Sequence, residues 1–290
     1  MGVPQCVIVY ISSLTFLSLF PFSLLKDLPG KGDLIAFDAE FVSVQHEDHY
    51  LTATGSKMVL REGRSALARM SIIDCRNGRV IIDDHVLPRE PVVDYLTRFS
   101  GIVEEHLDAN SSPHHLITTR NAYLKLRILM ERYVFHARLC DASFEPFFLH
   151  LPASPSPSPS PSFSLSLSLC VVLDTTSGCI FVGHGLRQDF ATVNIFVPPS
   201  QIVDTVEMFH LPRMRFISLR FLVNYVLKRD MQQDVHDSIE DARAALELYV
   251  KALEFKRDGT FDKVLRDIYD FGRKVDWKLG VKISSRNLER

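Results

Sequence analysis

The stretch DLIAFDAEFVSV, residues 33–44, constrains the fold more than any other part of the chain. Leu34, Ile35, Ala36, Phe37, Phe41 and Val42 are side chains that a sheet interior takes up. Asp38 and Glu40 interrupt them, and alternation along a strand puts both carboxylates on one face. Two like charges beside an apolar core cost free energy unless a positive partner joins them. Any fold for this chain must therefore bury one face of the strand and give the other something to do.

The text around that strand predicts a mixed α/β domain. A polar loop follows it, then ALARMSIIDC (66–75) and RVIIDD (79–84), antiparallel strands joined at Arg76-Asn77-Gly78. Helical spacing begins near Val92 in PVVDYLTRF and returns in TTRNAYLKLRILMER, 118–132. Further on, CIFVGHGLRQDF reads as a short strand entering a helix, and QIVDT (201–205) as another strand. SLRFLVNYVLK, HDSIEDARAALELYVKALEF and FDKVLRDIYDFGRK read as helices. A meander followed by alternating helices and strands implies a mixed sheet covered by helices.

Two segments do not fit that domain. Residues 133–178 contain PASPSPSPSPSFSLSLSL, and proline at every second position neither continues a helix nor pairs inside a sheet. This stretch is expected to be a disordered or extended insertion within one domain. Residues 6–25 form an apolar run of the length of a signal peptide or marginal membrane span. MGVPQ lacks a basic n-region, however, Pro21 interrupts the run, and no A-x-A-like site follows. Residues 1–26 are expected to lie outside the fold, a signal or membrane anchor at 6–25 being the lesser reading, and 279–290 to be a tail. The five cysteines form no CxxC pair, which argues against a disulfide framework or zinc site and fits a reducing compartment. A formal net charge of −2 excludes bulk polycationic binding but not local basic clusters.

The candidate chemistry lies in three places. Alone, Asp38 and Glu40 read as an edge strand with two solvated acids. Asp189, after the Gly-rich turn in GHGLRQDF, reads alone as an acid favoured by a helix N-terminus. In HDSIEDA, Asp237 or Ser238 makes an N-cap, and Asp237 with Glu240 has capping-box spacing. That puts Asp241 in the first turn and His236 just before it. Together, Asp38, Glu40, Asp189 and Asp241 form a set of hard oxygen donors suited to Mg²⁺ or Mn²⁺. Two such ions roughly 4 Å apart can clamp the attacking and leaving oxygens of a phosphodiester. His236 can take a proton, since an unperturbed imidazole titrates at about 6.5.

FDAEF, GHGLRQDF and HDSIEDA resemble the three motifs of the DEDDh 3′→5′ exonuclease superfamily, which has a ribonuclease H-like fold. The likeness extends through LPGKGDLIAFDAEFVSV, VVDYLTRFSGI, LKLRILMER and FHLPRMRFISLRFLVNY, covering about 27–132 and 179–278. It is to the nuclease domain of the catalytic subunit of the poly(A)-binding-protein-dependent poly(A) nuclease, a cytoplasmic deadenylase. The resemblance implies a five-stranded mixed sheet over residues 27–278. It also implies two divalent cations on Asp38, Glu40, Asp189 and Asp241, His236 as general base, and release of 5′-AMP from poly(A). The accessory subunit and poly(A)-binding protein are the implied partners, although the family's propeller and pseudo-ubiquitin-hydrolase domains are missing here. A DEDDh exonuclease for other RNA or DNA ends, or an inactive nuclease-like binding protein, are the alternatives.

The family lacks anything like 133–178, and deleting it would join LKLRILMER to GCIFVGHGL by a short turn. Residues 133–178 and 1–26 are thus expected to be translated non-coding sequence. Single-stranded RNA is held by basic groups and aromatic stacking. FHLPRMRFISLRF (209–221) interleaves both, with Arg213 and Arg215 the candidates for phosphate contact. Phe41 is the candidate wedge against the terminal base.

Overall fold

The computed structural model describes residues 19–20, 27–130, 132–133, 173–174, 178–231 and 237–278. Most of the expected insertion, the tail and His236 lie outside the described residues, as does the leader apart from Leu19 and Phe20. These two are buried in the larger core, against the expectation that 1–26 stands outside the fold.

Six strands form the main sheet: β1 (Leu34–Gln45), β4 (Arg64–Asp74), β5 (Val80–Leu87), β6 (Leu116–Thr118), β7 (Ile180–Gly183) and β8 (Ile202–Asp204). Their order is β8-β7-β1-β4-β5-β6, with β1, β4 and β5 antiparallel and the outer strands added in parallel. The sheet therefore has one strand more than the five expected. The extra strand is β6, a three-residue edge strand too short to carry a periodic pattern. Among the described residues the main-domain helices are α1 (Thr97–Ser100), α2 (Thr119–Met130), α3 (Leu186–Thr192), α4 (Thr205–Met208), α5 (Leu219–Leu222), α6 (Ser238–Arg257) and α7 (Phe261–Lys274). A π-helical turn, Val223–Leu227, continues α5. Among the described residues no helix is long and apolar enough to cross a membrane.

Alternation along β1 builds two different faces. Ile35, Phe37 and Ala39 point into the larger core with Leu126 and Leu129 of α2 and Phe190 of α3. The Phe37 ring stacks on Phe190 with centroids 5.1 Å apart and meets Phe181 edge-on. Ala36 points the other way, against Ile73 and Ala242 of α6. Small residues there let α6 lie close to the sheet. A second cluster joins α6 to α7 and the α5 region through Leu222, Leu248, Ile268 and Tyr269.

Two expectations need correction. The region between β1 and β4 is not a loop but a hairpin, β2 (Asp48–Leu51) and β3 (Lys57–Arg61), exposed along its length. The helix expected from Val92 begins only at Thr97, because Asp94 bridges back to Ser43 of β1 and Leu96 is left-handed, φ 51°. The turn at 76–78 is as expected, with Gly78 at φ +72°.

The chain closes on itself around the expected insertion. Cys179 N–H donates to the Leu129 carbonyl at 2.9 Å, and Gln201 bridges the Met130 and Cys179 carbonyls at 3.0 Å each. A Cβ on Gly178 would fall 1.8 Å from the Met130 carbonyl oxygen, so only glycine fits this approach.

Candidate active site

The acid face of β1 is completed by the start of α6. Register sets Asp38 opposite Ser71 and Glu40 opposite Arg69 on β4, then Ser71 opposite Asp83 and Arg69 opposite His85 on β5. Asp237 caps α6, its carboxylate accepting the Ile239 N–H at 3.1 Å. Of the two caps the sequence allowed, the helix uses Asp237. Ser238, buried, shares a short hydrogen bond with Ser71 of β4. Arg69 donates to Asp83 at 2.8 Å and pairs with Asp237 at 3.2 Å. These contacts pin the first turn of α6 over the sheet and thereby place Asp241.

Asp38, Glu40 and Asp241 each offer a carboxylate oxygen within 4.8 Å of the other two. Glu40 is 8% exposed and Asp241 7%. Burial and the neighbouring charge of Asp241 push Glu40 up to about 9, Arg69 only partly opposing them. Asp38 is raised well above the carboxylate range, by burial first and then by Glu40, Asp241 and Asp189. These are hard oxygen donors held together against their own repulsion, the donor set that fits a divalent cation.

Asp189 comes from the other side, in the first turn of α3. The GHG turn that delivers it depends on both glycines. Gly183 packs where a Cβ would meet Leu186 at 2.3 Å and the Phe37 carbonyl oxygen at 2.7 Å, and Gly185 takes φ +93°. Asp204, the cap of α4, fastens the turn by accepting the Gly185 N–H at 2.8 Å. Burial and then Asp204 raise Asp189 to about 7, and its own charge is felt at Asp38 and Glu40. Three of the four expected acids thus share one cluster, with the fourth beside it. His236 lies outside the described residues.

Asp38, Glu40 and Asp241 open into a cleft of about 430 Å³, also lined by His184, Ser218, Arg220 and Asp237. His184 Nδ1 lies 2.9 Å from the Thr205 hydroxyl, and burial lowers the ring to about 4, so it is neutral at pH 7. The basic stretch at 209–221 sends Arg220 into the cleft; neither Arg213 nor Arg215 lines it. Arg215 lies over the Trp277 ring at 4.7 Å, and Arg213 is an exposed loop residue at φ 65°. Phe41 packs, half-buried, against the core on the far face of the sheet. Arg69, His184 and Arg220 are the site residues that sequence reasoning missed. His184 stands inside the GHGLRQDF motif, beside Asp189, whereas Arg69 lies in the strand segment ALARMSIIDC, outside all three motifs.

A mixed sheet whose central strand carries two acids, met by a third from a helix entrance and a fourth after a strand–turn–helix, defines a ribonuclease H-like nuclease domain. No family model matches the chain. The curated PAN2-PAN3 deadenylation complex catalytic subunits of Mus musculus and Homo sapiens are each 38% identical over 263 residues, 88% of this chain and 18% of the relative. Among solved structures, the Saccharomyces cerevisiae apo Pan2 pseudoubiquitin hydrolase–RNA exonuclease module in complex with AAGGAA RNA is 35% identical at a TM-score of 0.64. That match covers 88% of this chain and 34% of that one. The Neurospora crassa Pan2 catalytic unit, comprising protease and nuclease domains, is 34% identical at a TM-score of 0.58, covering 83% of this chain and 30% of that one. The chain belongs to the family of PAN2 nuclease domains, and it spans under a fifth (18%) of the length of the curated relatives it matches.

Proposed function

We propose that this domain is a 3′→5′ exoribonuclease that shortens poly(A) tails and releases 5′-AMP. The observation that carries the reading is the convergence of Asp38, Glu40 and Asp241 within 4.8 Å, in a domain of the PAN2 nuclease family. In this reading Asp38, Glu40, Asp189 and Asp241 hold two divalent cations, Mg²⁺ or Mn²⁺. Such ions neutralise charge developing on the phosphodiester and make water a usable nucleophile near neutral pH.

The remaining work falls to the chain's own groups. Arg220, at the cleft wall, supplies a positive charge for the phosphate backbone. His184 stays neutral, so it adds no charge beside the acids and can orient a polar group by hydrogen bonding. Arg69 keeps the α6 entrance, and hence Asp241, in place over β1. His236 is the proposed general base, one residue before the α6 cap. The relatives are named as subunits of a PAN2-PAN3 complex, and association with such an accessory subunit belongs to the same proposal.

The test is shortening of 5′-labelled oligo(A) from its 3′ end, with 5′-AMP as the released product, by the full chain with Mg²⁺ or Mn²⁺, set against oligo(U) and oligo(dA). Preference for oligo(A) supports the deadenylase reading. Equal rates on all three reject it in favour of a general DEDDh exonuclease. RNA binding without any release makes the domain a nuclease-like binding protein.

A further inference from the structure

The acid face of the sheet carries a second cluster of ligating side chains. One transverse row reads Glu40, Arg69, His85 across β1, β4 and β5. Arg69 therefore stands between the acids and an imidazole two strand spacings, about 10 Å, from Glu40. Over His85 lie His106, which ends the 3₁₀ turn Glu104–His106, and His114, in the loop before β6. One ring nitrogen from each of the three lies within 4.8 Å of the other two. The His85 and His114 rings stack with centroids 3.9 Å apart, and His106 meets them edge-on at 5.6 and 4.7 Å.

Ring packing alone does not account for the cluster. His85 is 3% exposed, and its Nδ1 is buried with no hydrogen-bond partner. A buried polar atom left in that state is destabilising, and apolar side chains would pack there without that cost. We propose that His85, His106 and His114 bind one divalent transition-metal ion, zinc foremost, with a fourth position open on the His114 side.

The donor set decides the metal. Imidazoles suit zinc, cobalt, nickel and copper, whereas Mg²⁺ and Mn²⁺ prefer the oxygen donors of the neighbouring cleft. Three protein ligands leave one tetrahedral position free. Metal–nitrogen bonds of about 2.0–2.1 Å put ligand nitrogens roughly 3.3 Å apart, so the cluster must close by about an ångström or so. His114 is exposed on its loop and can make that movement. His106 Nδ1 accepts the Val103 N–H in a long hydrogen bond of 3.4 Å, which leaves the ring proton on Nε2; ligation requires His106 to give up this bond and turn a ring nitrogen's lone pair to the ion. The Arg69 charge opposes a cation here, but Arg69 is paired to Asp83 and Asp237, and Glu105 lies on the same turn as His106. A metal in this position would tie the 103–114 loop to β5, at the end of the row that holds Arg69 against Glu40.

The test uses the full chain, stripped with chelator and returned to excess Mg²⁺ so that the acid cleft is supplied. Zinc retention is measured by elemental analysis after gel filtration, and Co²⁺ binding by its visible absorption. One equivalent of zinc is expected on the wild type and on an Asp38→Asn/Asp241→Asn variant, with an intense tetrahedral cobalt spectrum. The His106→Ala/His114→Ala variant, altered at the end of the 3₁₀ turn and in the loop before β6, is expected to lose retention at least tenfold. Zinc should also raise Tm in the wild type and not in that variant. No retention by the wild type in Mg²⁺, or equal retention by the histidine variant, overturns the proposal. Loss of zinc from the acid variant instead overturns it by assigning the ion to the cleft.

Discussion

Ile35, Phe37 and Ala39 on one side of β1 are buried among aromatic and aliphatic side chains, while one residue along the same strand Asp38 and Glu40 are buried among acids. The first face lowers the free energy of the folded chain by removing apolar surface from water. The second raises it, because burial and mutual repulsion hold Glu40 near 9 and push Asp38 up as well. A strand can carry both only because alternation keeps the two environments on opposite sides. Substitutions on the acid face should therefore cost activity and spare stability, and those on the apolar face should cost stability and spare activity.

The largest expected effect is on the acid face. Asp38→Asn or Asp241→Asn should cut 5′-AMP release roughly 10³-fold or more, about 4 kcal/mol on the barrier. The same variants should be as stable as the parent or more so without metal, by up to a few kcal/mol. Activity in a single-turnover assay and urea midpoints, measured on the same samples, check both halves. A variant that loses stability along with activity breaks the comparison.

Phe37→Ala, on the far face, should do the reverse. It empties a site stacked on Phe190 and edged by Phe181. Truncation of a buried phenylalanine costs about 3–5 kcal/mol. Urea unfolding should show that loss, while the fraction that remains folded turns over normally.

pH sharpens the difference further. Glu40 moves from an ordinary 4.5 to about 9, and Asp189 from 3.8 to about 7, on folding. Between those values the folded protein holds protons that the unfolded chain has released. The stability of the metal-free protein must then fall as pH rises. The penalty is absent below about pH 4, grows through neutrality, and levels off once the folded carboxyls ionise near pH 7 and 9. Unfolding free energies from urea titrations at pH 5.5 and 8.5 should differ by on the order of a few kcal/mol. Mg²⁺ or Glu40→Gln should flatten that slope, and a flat profile in the metal-free wild type would contradict the burial of the acids.

The acid face was readable in the sequence because each element announces itself locally. D-x-E lies inside an apolar strand, Asp189 follows two glycines, and Asp241 sits four residues into a capped helix. Arg69 was not readable, since its partners Asp83 and Asp237 come from other elements and only the β4 register brings them together. Arg220 was passed over for Arg213 and Arg215 because alternation of charge and aromatics says nothing about which side of a loop faces a cleft. The β2–β3 hairpin exposes apolar residues on both faces, so it lacks the pattern by which a half-buried strand is recognised. His85, His106 and His114 are spread over thirty positions and three elements, which leaves no local signature for them.

The smallest effect expected is from the longest change. Leu129 and Cys179 are one hydrogen bond apart, and Gly178 touches the Met130 carbonyl, so the stretch between them begins and ends at nearly the same point of the fold. We propose that residues 131–177 contribute nothing to either face of β1. Closing a long loop costs only about 0.6 kcal/mol more per doubling of length, so replacing the stretch with a three-residue Gly/Ser turn should stabilise by ~2 kcal/mol at most. Poly(A) degradation by the shortened chain should stay within about twofold of the parent. That outcome is expected because none of the residues assigned to the acid cluster or to its supports, Arg69, Asp83 and Asp204, lies in the deleted stretch. A large loss of activity with unchanged stability would mean that the stretch reaches the cleft, and the acid face would then extend beyond β1 and α6.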